Sequence, residues 1–225
     1  MTTPCSFLLC PASLLTDRET ANPEASPNPK GIYSGLMFLS YLGLIPLTDY
    51  VARTGALQYL VRTTVSLLPG CAPIAADANN TIAAQGMIPA LAALYLFVSH
   101  GVTGALSGAG QTMARPEGLD LSHSRRHLGH LAGFPLRLYS AHQNLMENFP
   151  AWALGAALTQ ALRPDDAHLV SLLGLHVLAK VFVYYPAYLA NVPSVRGPTH
   201  LFANAAAINV CWKLATAAGA AAAAV

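Results

Sequence analysis

The sequence predicts an all-α membrane protein built on a transmembrane four-helix bundle, and it leaves room for one additional apolar helix near the N-terminus. Of the 225 residues, 54% are hydrophobic and only 10% are charged, and the mean hydropathy is +0.43. Soluble domains carry about 25% charged residues, so this chain has too little charge to cover a globular surface in water. Apolar stretches after residue 80 are long enough to cross the hydrocarbon core of a bilayer. We therefore expect a multi-pass integral membrane protein surrounded by lipid.

The first 80 residues precede this bundle and differ from it in composition. Residues 1–30 contain five Pro, mixed charges and little periodicity, which is typical of a flexible leader. The apolar run at 31–48 is near the lower length limit for a membrane span, and 51–68 is amphipathic, as in helices that lie in the membrane interface. The expected organisation is a flexible leader (1–30), an apolar and amphipathic extension with a linker (31–80), and a four-helix transmembrane domain (81–225).

Polar connections and Pro-containing turns set the boundaries of the four helices. The connection at 107–136 is the richest in Arg, so the positive-inside rule places it in the cytoplasm. The turn that contains Arg196 then lies at the same membrane face as the start of the second helix. Small residues near the end of the first helix would let a neighbouring helix approach closely. The predicted helices are 81–106, 137–162, 167–190 and 199–222, and those small residues are Gly101, Gly104, Gly108 and Gly110.

The second helix carries a broad polar face. At about 100° per residue, six polar side chains share this face, while His142 points the other way together with Leu138 and Leu145. In a membrane helix such a face must meet another helix or a wet cavity, and it indicates a functional site. The alternative is a helix end wetted by the interface, with capping and snorkelling side chains. The polar residues are Arg137, Ser140, Gln143, Asn144, Glu147 and Asn148.

The third helix carries a stripe of polar and aromatic side chains. His176, Lys180, Tyr184 and Tyr188 recur every four residues, drifting about 40° per step. Lys180 lies well inside the span and needs a partner, for which Glu147 on the second helix is our hypothesis. The alternative for the tyrosines is an interfacial aromatic belt, with the lysine snorkelling to the membrane surface. Pro186, in the same helix, removes one hydrogen bond and predicts a kink.

Two classes of partner are not expected. No basic patch interleaved with aromatic residues indicates nucleic-acid binding. The four Cys form no Cys-x-x-Cys pair, and the cluster of His123, His127 and His130 has no acidic ligand at a suitable spacing. We therefore expect no metal, and a solvated basic loop is the favoured interpretation of the histidines.

Two motifs resemble signatures of the MAPEG family, the membrane-associated proteins of eicosanoid and glutathione metabolism, in its bacterial-like branch. The first is Arg137-x-x-Ser-Ala-His-Gln-Asn144-x-x-Glu147-Asn-Phe-Pro150, and the second is Tyr184-Tyr-Pro-Ala-Tyr188-Leu-Ala-Asn-Val-Pro-Ser-Val-Arg196. The resemblance covers about residues 82–222. It implies a four-helix membrane protein that assembles as a homotrimer and binds glutathione between subunits.

The resemblance also implies an activity and its residues. Asn144 and Glu147 would hold the glutathione backbone and amino group, Tyr184 and Tyr188 would line the same pocket, and Arg196 would be the catalytic residue beside the thiol. With glutathione as co-substrate, the protein would be a transferase or peroxidase acting on lipophilic electrophiles or lipid hydroperoxides.

This sequence departs from the family pattern at three positions. Ser140 stands where the first signature has Arg, and the nearest substitute, Arg137, is about 60° away around the helix. In the second signature Asn191 replaces Gly, and Lys180 stands near the usual Arg; we include both Arg137 and Lys180 among the glutathione-binding candidates.

Two other functions remain open. Ser140 motivates a non-catalytic lipid-binding or scaffold protein. A small transporter or channel subunit would use Lys180, Glu147 and His176 as a proton path.

Overall fold

The computed structural model describes residues 31–75, 86–115, 117–118 and 128–223. The leader predicted at 1–30 lies outside the described residues, as do His123 and His127 of the histidine cluster. Throughout the described residues the regular secondary structure is helical and contains no strand. The all-α prediction is therefore confirmed.

Seven helices occur in the described part of the chain. They are α1 (Gly31–Ala52), α2 (Gly55–Ser66), α3 (Ala72–Ala75), α4 (Met87–Met113), α5 (Gly133–Leu162), α6 (Ala167–Leu189) and α7 (Pro193–Ala223). Helix α7 begins six residues earlier than predicted, because Pro193 is tolerated in a first helical turn, where its missing N–H has no intrahelical acceptor. Helix α4 continues seven residues past its predicted end at 106.

The end of α6 explains one departure from the family signature. Asn191 follows this helix with a φ of 54°, which is the left-handed conformation that Gly adopts at no steric cost. Asn is one of the few other residues that visit this conformation routinely. Asn191, which stands where the family signature has Gly, therefore preserves the turn that leads from α6 to α7.

The helices have the length and composition of a membrane protein. Three of the described helices are long and apolar enough to cross a bilayer: Met87–Met113, Ala167–Leu189 and Pro193–Gly219, with mean hydropathies of 1.4, 1.6 and 1.2. Helix α5 has 30 residues, which is sufficient length, but its polar face lowers its average. The chain is accordingly a multi-pass integral membrane protein.

One end of the bundle is tied together by Asp49, near the end of α1 and outside the three spans. Its carboxylate lies 2.6 Å from Lys213 Nζ on α7, 2.7 Å from His168 Nε2 on α6 and 3.0 Å from Arg53 Nη2. Burial would raise the pKa of Asp49, but the hydrogen bonds from Lys213, His168 and Arg53 outweigh it and hold the pKa well below its usual range. The N-terminal extension is thereby attached to the bundle.

At the opposite end, Arg137 joins the start of α5 to the end of α6. Its Nε donates a 3.1 Å hydrogen bond to the carbonyl of Leu189, one of the last carbonyls of α6, which have no partner within the helix. Arg196, at the start of α7, follows that turn. The starts of α5 and α7 therefore lie at the same end of the bundle, as the topology predicted.

An aromatic cluster fills the centre of the bundle. Tyr95 of α4 contacts Phe149 and Trp152 of α5 and His176 of α6, with ring centroids 5.3–5.5 Å apart. Trp152 is fully buried, and its Nε1 donates to the carbonyl of Leu173. The apolar side of α5 therefore packs inward, and its polar side is left for a site.

Helices α4 and α5 also approach closely, as the glycine spacing predicted. A Cβ on Gly110 would lie 2.8 Å from Leu138 Cδ1, whereas a Cβ on Gly108 would meet nothing within 4 Å. His142 points toward α4, where it lies 3.1 Å from the carbonyl of Ser99. Of these two glycines, only Gly110 lies at the point of close approach.

A π-helical segment interrupts α6 at Ala179–Tyr184, immediately before Pro186. Proline has no N–H and its ring crowds the preceding turn, so a widened turn accommodates it. A π-turn contains more residues than an α-turn, so a four-residue step falls short of a full turn instead of overshooting it. The segment thereby offsets the drift of the polar stripe and keeps Lys180 and Tyr184 directed at one neighbour.

Candidate functional site

A cavity of about 200 Å³ lies between α5, α6 and α7. It brings together four of the site residues expected from the sequence, although they are far apart in the chain. Its walls are Asn144, Tyr184, Tyr188, Arg196, Gly197, His200 and Leu201. We call this cavity the polar pocket.

Aromatic rings hold Arg196 in place. Its guanidinium lies 4.4 Å from the centroid of the Tyr188 ring, and the rings of Tyr188 and Tyr184 are 5.7 Å apart. A guanidinium stacked on an aromatic ring keeps the N–H groups in its own plane available for hydrogen bonds. The guanidinium of Arg196 is therefore held at the polar pocket with N–H groups available for hydrogen bonds.

Lys180 lies behind the polar pocket and is fully buried. Its Nζ shares a 2.9 Å hydrogen bond with His200 Nδ1 and lies 4.7 Å from the centroid of the Tyr184 ring. The hypothesis that Glu147 is its partner is wrong. The stripe on α6 faces α7, and Glu147 is exposed on α5, so the histidine of α7 pairs with the lysine instead.

His176, at the other end of the polar stripe on α6, joins helices together. His176 Nδ1 lies 2.8 Å from the carbonyl of Ala203, and Nε2 lies 3.2 Å from the hydroxyl of Tyr95. A neutral ring that donates from Nδ1 to the carbonyl accepts from the tyrosine at Nε2. Both ring nitrogens are therefore engaged in holding α4, α6 and α7 together.

Besides Lys180, two more of the predicted glutathione-binding residues lie outside the walls of the polar pocket. Glu147 is exposed, three residues after Asn144 on α5. Arg137 is half-buried and bonded to Leu189 at the end of α6, and it does not line the pocket. A single chain therefore brings four of the predicted site residues into the polar pocket, and the other three lie outside its walls.

His200 is a site residue that the sequence interpretation missed. It lies four residues after Arg196, so the two share one face of α7, and its ring is 5.4 Å from that of Tyr184. The sequence predicted that this helix begins at 199, which put Arg196 in a turn, so the four-residue spacing of Arg196 and His200 along one helix was not recognised. Asn204 continues the series, since its side-chain amide forms a 3.0 Å hydrogen bond with His200 Nε2.

No ion site competes with this pocket in the part of the chain that the structure describes. There, no three His, Cys, Asp or Glu side chains converge in a way that could hold a metal ion.

Comparison with known proteins identifies the family. The family model described as MAPEG matches residues 87–216, which is more than half of the chain and includes every residue of the polar pocket. No curated protein and no solved structure matches the chain significantly. Membership supports a membrane-bound, glutathione-dependent function of the transferase or peroxidase type at the level of the family. From the helical membrane architecture, the two motifs and this match, the chain belongs to the MAPEG family.

Proposed function

We propose that this chain is an integral membrane enzyme that binds glutathione in the polar pocket and uses its thiolate against lipophilic substrates. The observation that carries the proposal is the convergence of Asn144, Tyr184, Tyr188 and Arg196 on one cavity. These residues come from three helices, and their side chains supply hydrogen bonds, aromatic surface and a fixed positive charge. That combination suits a small, polar, anionic tripeptide.

The chemistry of glutathione matches these groups. It carries two carboxylates, one ammonium and one thiol. Arginine binds carboxylates with two parallel charge-assisted hydrogen bonds, and a carboxylate binds an ammonium. A free thiol has a pKa of about 8.5 and reacts as the thiolate, so a nearby guanidinium increases the reactive fraction at neutral pH. Arg196 is the group proposed to stabilise that thiolate.

Two reactions are open to such a thiolate. In conjugation, its sulfur bonds to an electrophilic carbon and the leaving group departs with the bonding electron pair. In peroxide reduction, the sulfur takes the terminal oxygen, the O–O bond breaks, and the alcohol forms after protonation. A second glutathione then displaces water from the resulting sulfenic acid and gives the disulfide.

The size of the polar pocket supports completion of the site by a neighbouring subunit. Its volume of about 200 Å³ is below the roughly 300–1,000 Å³ of small-molecule pockets. Glu147 is exposed beside it and is available to the ammonium of a ligand held partly by another chain. We therefore include a homotrimer, as expected from the family, in the proposal.

Ser140 leaves the α5 side of the proposed site without the arginine of the first signature. Arg137 donates to the end of α6, so we do not assign it the role of that arginine. Lys180 and His200 pair with each other next to Tyr184. The fixed positive charge of the proposed site is therefore that of Arg196 on α7.

The test compares two arginines at the same end of the bundle, one lining the polar pocket and one bonded to the end of α6. Glutathione is titrated calorimetrically into the detergent-solubilised protein, and thiolate formation is followed by ultraviolet absorbance. Charge-assisted hydrogen bonds contribute about 1.5–3 kcal/mol, so Arg196→Ala should weaken binding about 10–100-fold and abolish the thiolate signal. Arg137→Ala removes the same group from the α6 cap and should change the dissociation constant by less than about threefold.

Two results would contradict the proposal. If the Arg196→Ala variant still forms the thiolate at saturating glutathione, Arg196 is not the group that stabilises it. The absence of saturable heat in the wild-type protein would favour the alternative, a non-catalytic lipid-binding or scaffold member, which Ser140 motivates.

A further inference from the structure

Two polar side chains are exposed near the middle of the membrane-spanning helices. His100 lies thirteen residues from each end of α4 (Met87–Met113), and Glu147 lies near the middle of α5 (Gly133–Leu162). Thirteen helical residues rise about 20 Å, and the hydrocarbon core of a bilayer is about 30 Å thick, so both side chains lie deep in the core. Polar groups at that depth face another protein element or mark a functional site.

The described part of the chain offers neither group a partner of the required kind. The Nδ1 atom of His100 shares a 2.8 Å hydrogen bond with Ser99 Oγ, and a hydroxyl that donates to Nδ1 leaves the ring N–H at Nε2. That N–H and the Glu147 carboxylate have no hydrogen-bond partner among the described residues. Lipid tails have no hydrogen-bonding groups, and the headgroups are about 15 Å away. A second protein chain is therefore the source of a partner at this depth.

The two groups lie at the same depth. The ring centroid of His100 is 5.0 Å from that of Phe149 on α5, and Phe149 is two residues, or about 3 Å along the helix, from Glu147. Copies of a membrane protein insert in the same orientation, so the axis that relates them runs along the membrane normal and preserves depth. His100 of one copy can therefore meet Glu147 of the next.

The two groups face different sides of the chain. At about 100° per residue, Glu147 points about 160° away from Phe149 around α5, whereas His100 lies on the Phe149 side. A contact between two different faces is heterologous, and its repetition about one axis closes a ring of subunits.

The surface of α4 beside His100 has room for a neighbouring helix. Gly101 and Gly108 are seven residues apart and so lie on one face of α4. Among the described residues, a Cβ on Gly108 would meet nothing within 4 Å, and one on Gly101 would meet the ring of Phe97, one turn earlier. Packing within the chain does not require either glycine, whereas glycines let helices approach closely in a membrane.

We propose that copies of this chain meet head to tail at the bilayer centre, with His100 Nε2 of one copy donating to the Glu147 carboxylate of the next. The inference rests on the proposed function for the number of subunits, and it names the faces of the chain that meet. A carboxylate has about four acceptor positions, so Glu147 can accept from this histidine and from a bound ammonium together. The contact lies beside the polar pocket, because Asn144, one of the pocket walls, is three residues before Glu147.

The first test is oxidative cross-linking of the full chain in membranes without glutathione. In a background in which the four native Cys are replaced by Ala, His100→Cys and Glu147→Cys are expressed separately, together, and as one double variant. We expect no covalent dimer from either single variant, a dimer when the two are co-expressed, and a covalent trimer from the double variant. The matched control is Ala93→Cys, exposed on the same face of α4 but about 10 Å away in depth, which should not cross-link to Glu147→Cys.

The second test separates pairing from a structural role of either side chain. Association is measured by energy transfer between labelled copies as they are diluted in lipid. His100→Leu should weaken association about 3- to 20-fold, the range for one hydrogen bond between helices in a membrane. His100→Glu places two carboxylates at each contact and should weaken it further, whereas adding Glu147→His restores one acid and one histidine and should recover association.

Two results would overturn the proposal. A dimer from either single cysteine variant, or no dimer on co-expression, would show that the two faces do not meet head to tail. If the exchanged pair does not recover association, the hydrogen bond is not the link. Because glutathione is absent from both tests, a chain that gives a thiolate signal but no mixed dimer retains the proposed chemistry and loses this contact. A chain that cross-links without a thiolate signal does the reverse.

Discussion

The pairing of Lys180 with His200 can be tested by a double-mutant cycle. Lys180 is fully buried, and its Nζ forms the 2.9 Å hydrogen bond with His200 Nδ1 and lies over the ring of Tyr184. His200→Ala leaves the buried amine without that hydrogen bond. A buried group left unsatisfied costs about 1–3 kcal/mol, and more when it is charged.

The second variant, Lys180→Met, replaces the amine with an apolar side chain of similar length. Replacing a buried polar pair by well-packed apolar groups is often neutral or stabilising, whereas removing one partner is destabilising. The double variant Lys180→Met/His200→Ala should therefore lose less free energy of unfolding than the two single variants lose together. The expected coupling is about 1–3 kcal/mol, and each kcal/mol corresponds to about 2–4 °C in the unfolding temperature of a chain of this size.

The assay is thermal unfolding in detergent at a fixed heating rate, followed by the fluorescence of the buried Trp152. A control cycle pairs Lys180→Met with Thr216→Ala, which is exposed sixteen residues beyond His200 on α7, about 24 Å along the helix. Distant sites add within about 0.5 kcal/mol. Additive losses in the Lys180 and His200 cycle, equal to those of the control, would refute the pairing.

Two further predictions concern the attachments of the helices. Asp49→Asn should lower the free energy of unfolding by about 1–3 kcal/mol, while Asp165→Asn, in an exposed turn, should change it by less than about 0.5 kcal/mol; equal effects would contradict the ion-pair cluster. The pKa of Asp49 in the folded protein is below its unfolded value of about 3.9. The ionised carboxylate therefore stabilises the fold fully above pH about 3.9, and this contribution is lost as the pH falls through the lower, folded pKa. On acidification the wild-type protein should accordingly lose more stability than Asp49→Asn. Gly110→Val should cost about 1–3 kcal/mol more than Gly108→Val, because only the first meets Leu138; thermal unfolding that shows the two to be equal would remove the close approach of α4 and α5.

Periodicity predicted the local features of the site well. The four-residue spacing placed Lys180, Tyr184 and Tyr188 on one slanted stripe, which contacts α7, and the inward-facing His142 was assigned correctly. Such features depend on residues within one helix, where the geometry is fixed by the helical repeat. The family signatures, in turn, placed Asn144 and Arg196 in one site, although they are on different helices.

The errors concern which helix lies beside which. Lys180 was assigned to Glu147 because α5 precedes α6 in the chain, but periodicity fixes a direction around a helix axis and not the neighbour in that direction. The hydrogen bond from Arg137 to the Leu189 carbonyl likewise depends on where α6 ends, which no pattern on α5 encodes. The contact between α1 and α7, from Ile45 to Asn209, joins residues 164 apart, and no local pattern encodes it.

The distribution of charge around the polar pocket determines how glutathione would be oriented there. Arg196 and the basic pair of Lys180 and His200 lie on α6 and α7, while Glu147 lies on α5. Glutathione carries two carboxylates and one ammonium, so it would have one favoured orientation. Its ammonium would point toward Glu147 on α5, and a carboxylate would point toward Arg196 on α7. The thiol, in the middle of the tripeptide, would then lie near Arg196. Ser140 removes positive charge from the α5 side, which strengthens this polarity, so restoring an arginine there should weaken the preference for one orientation.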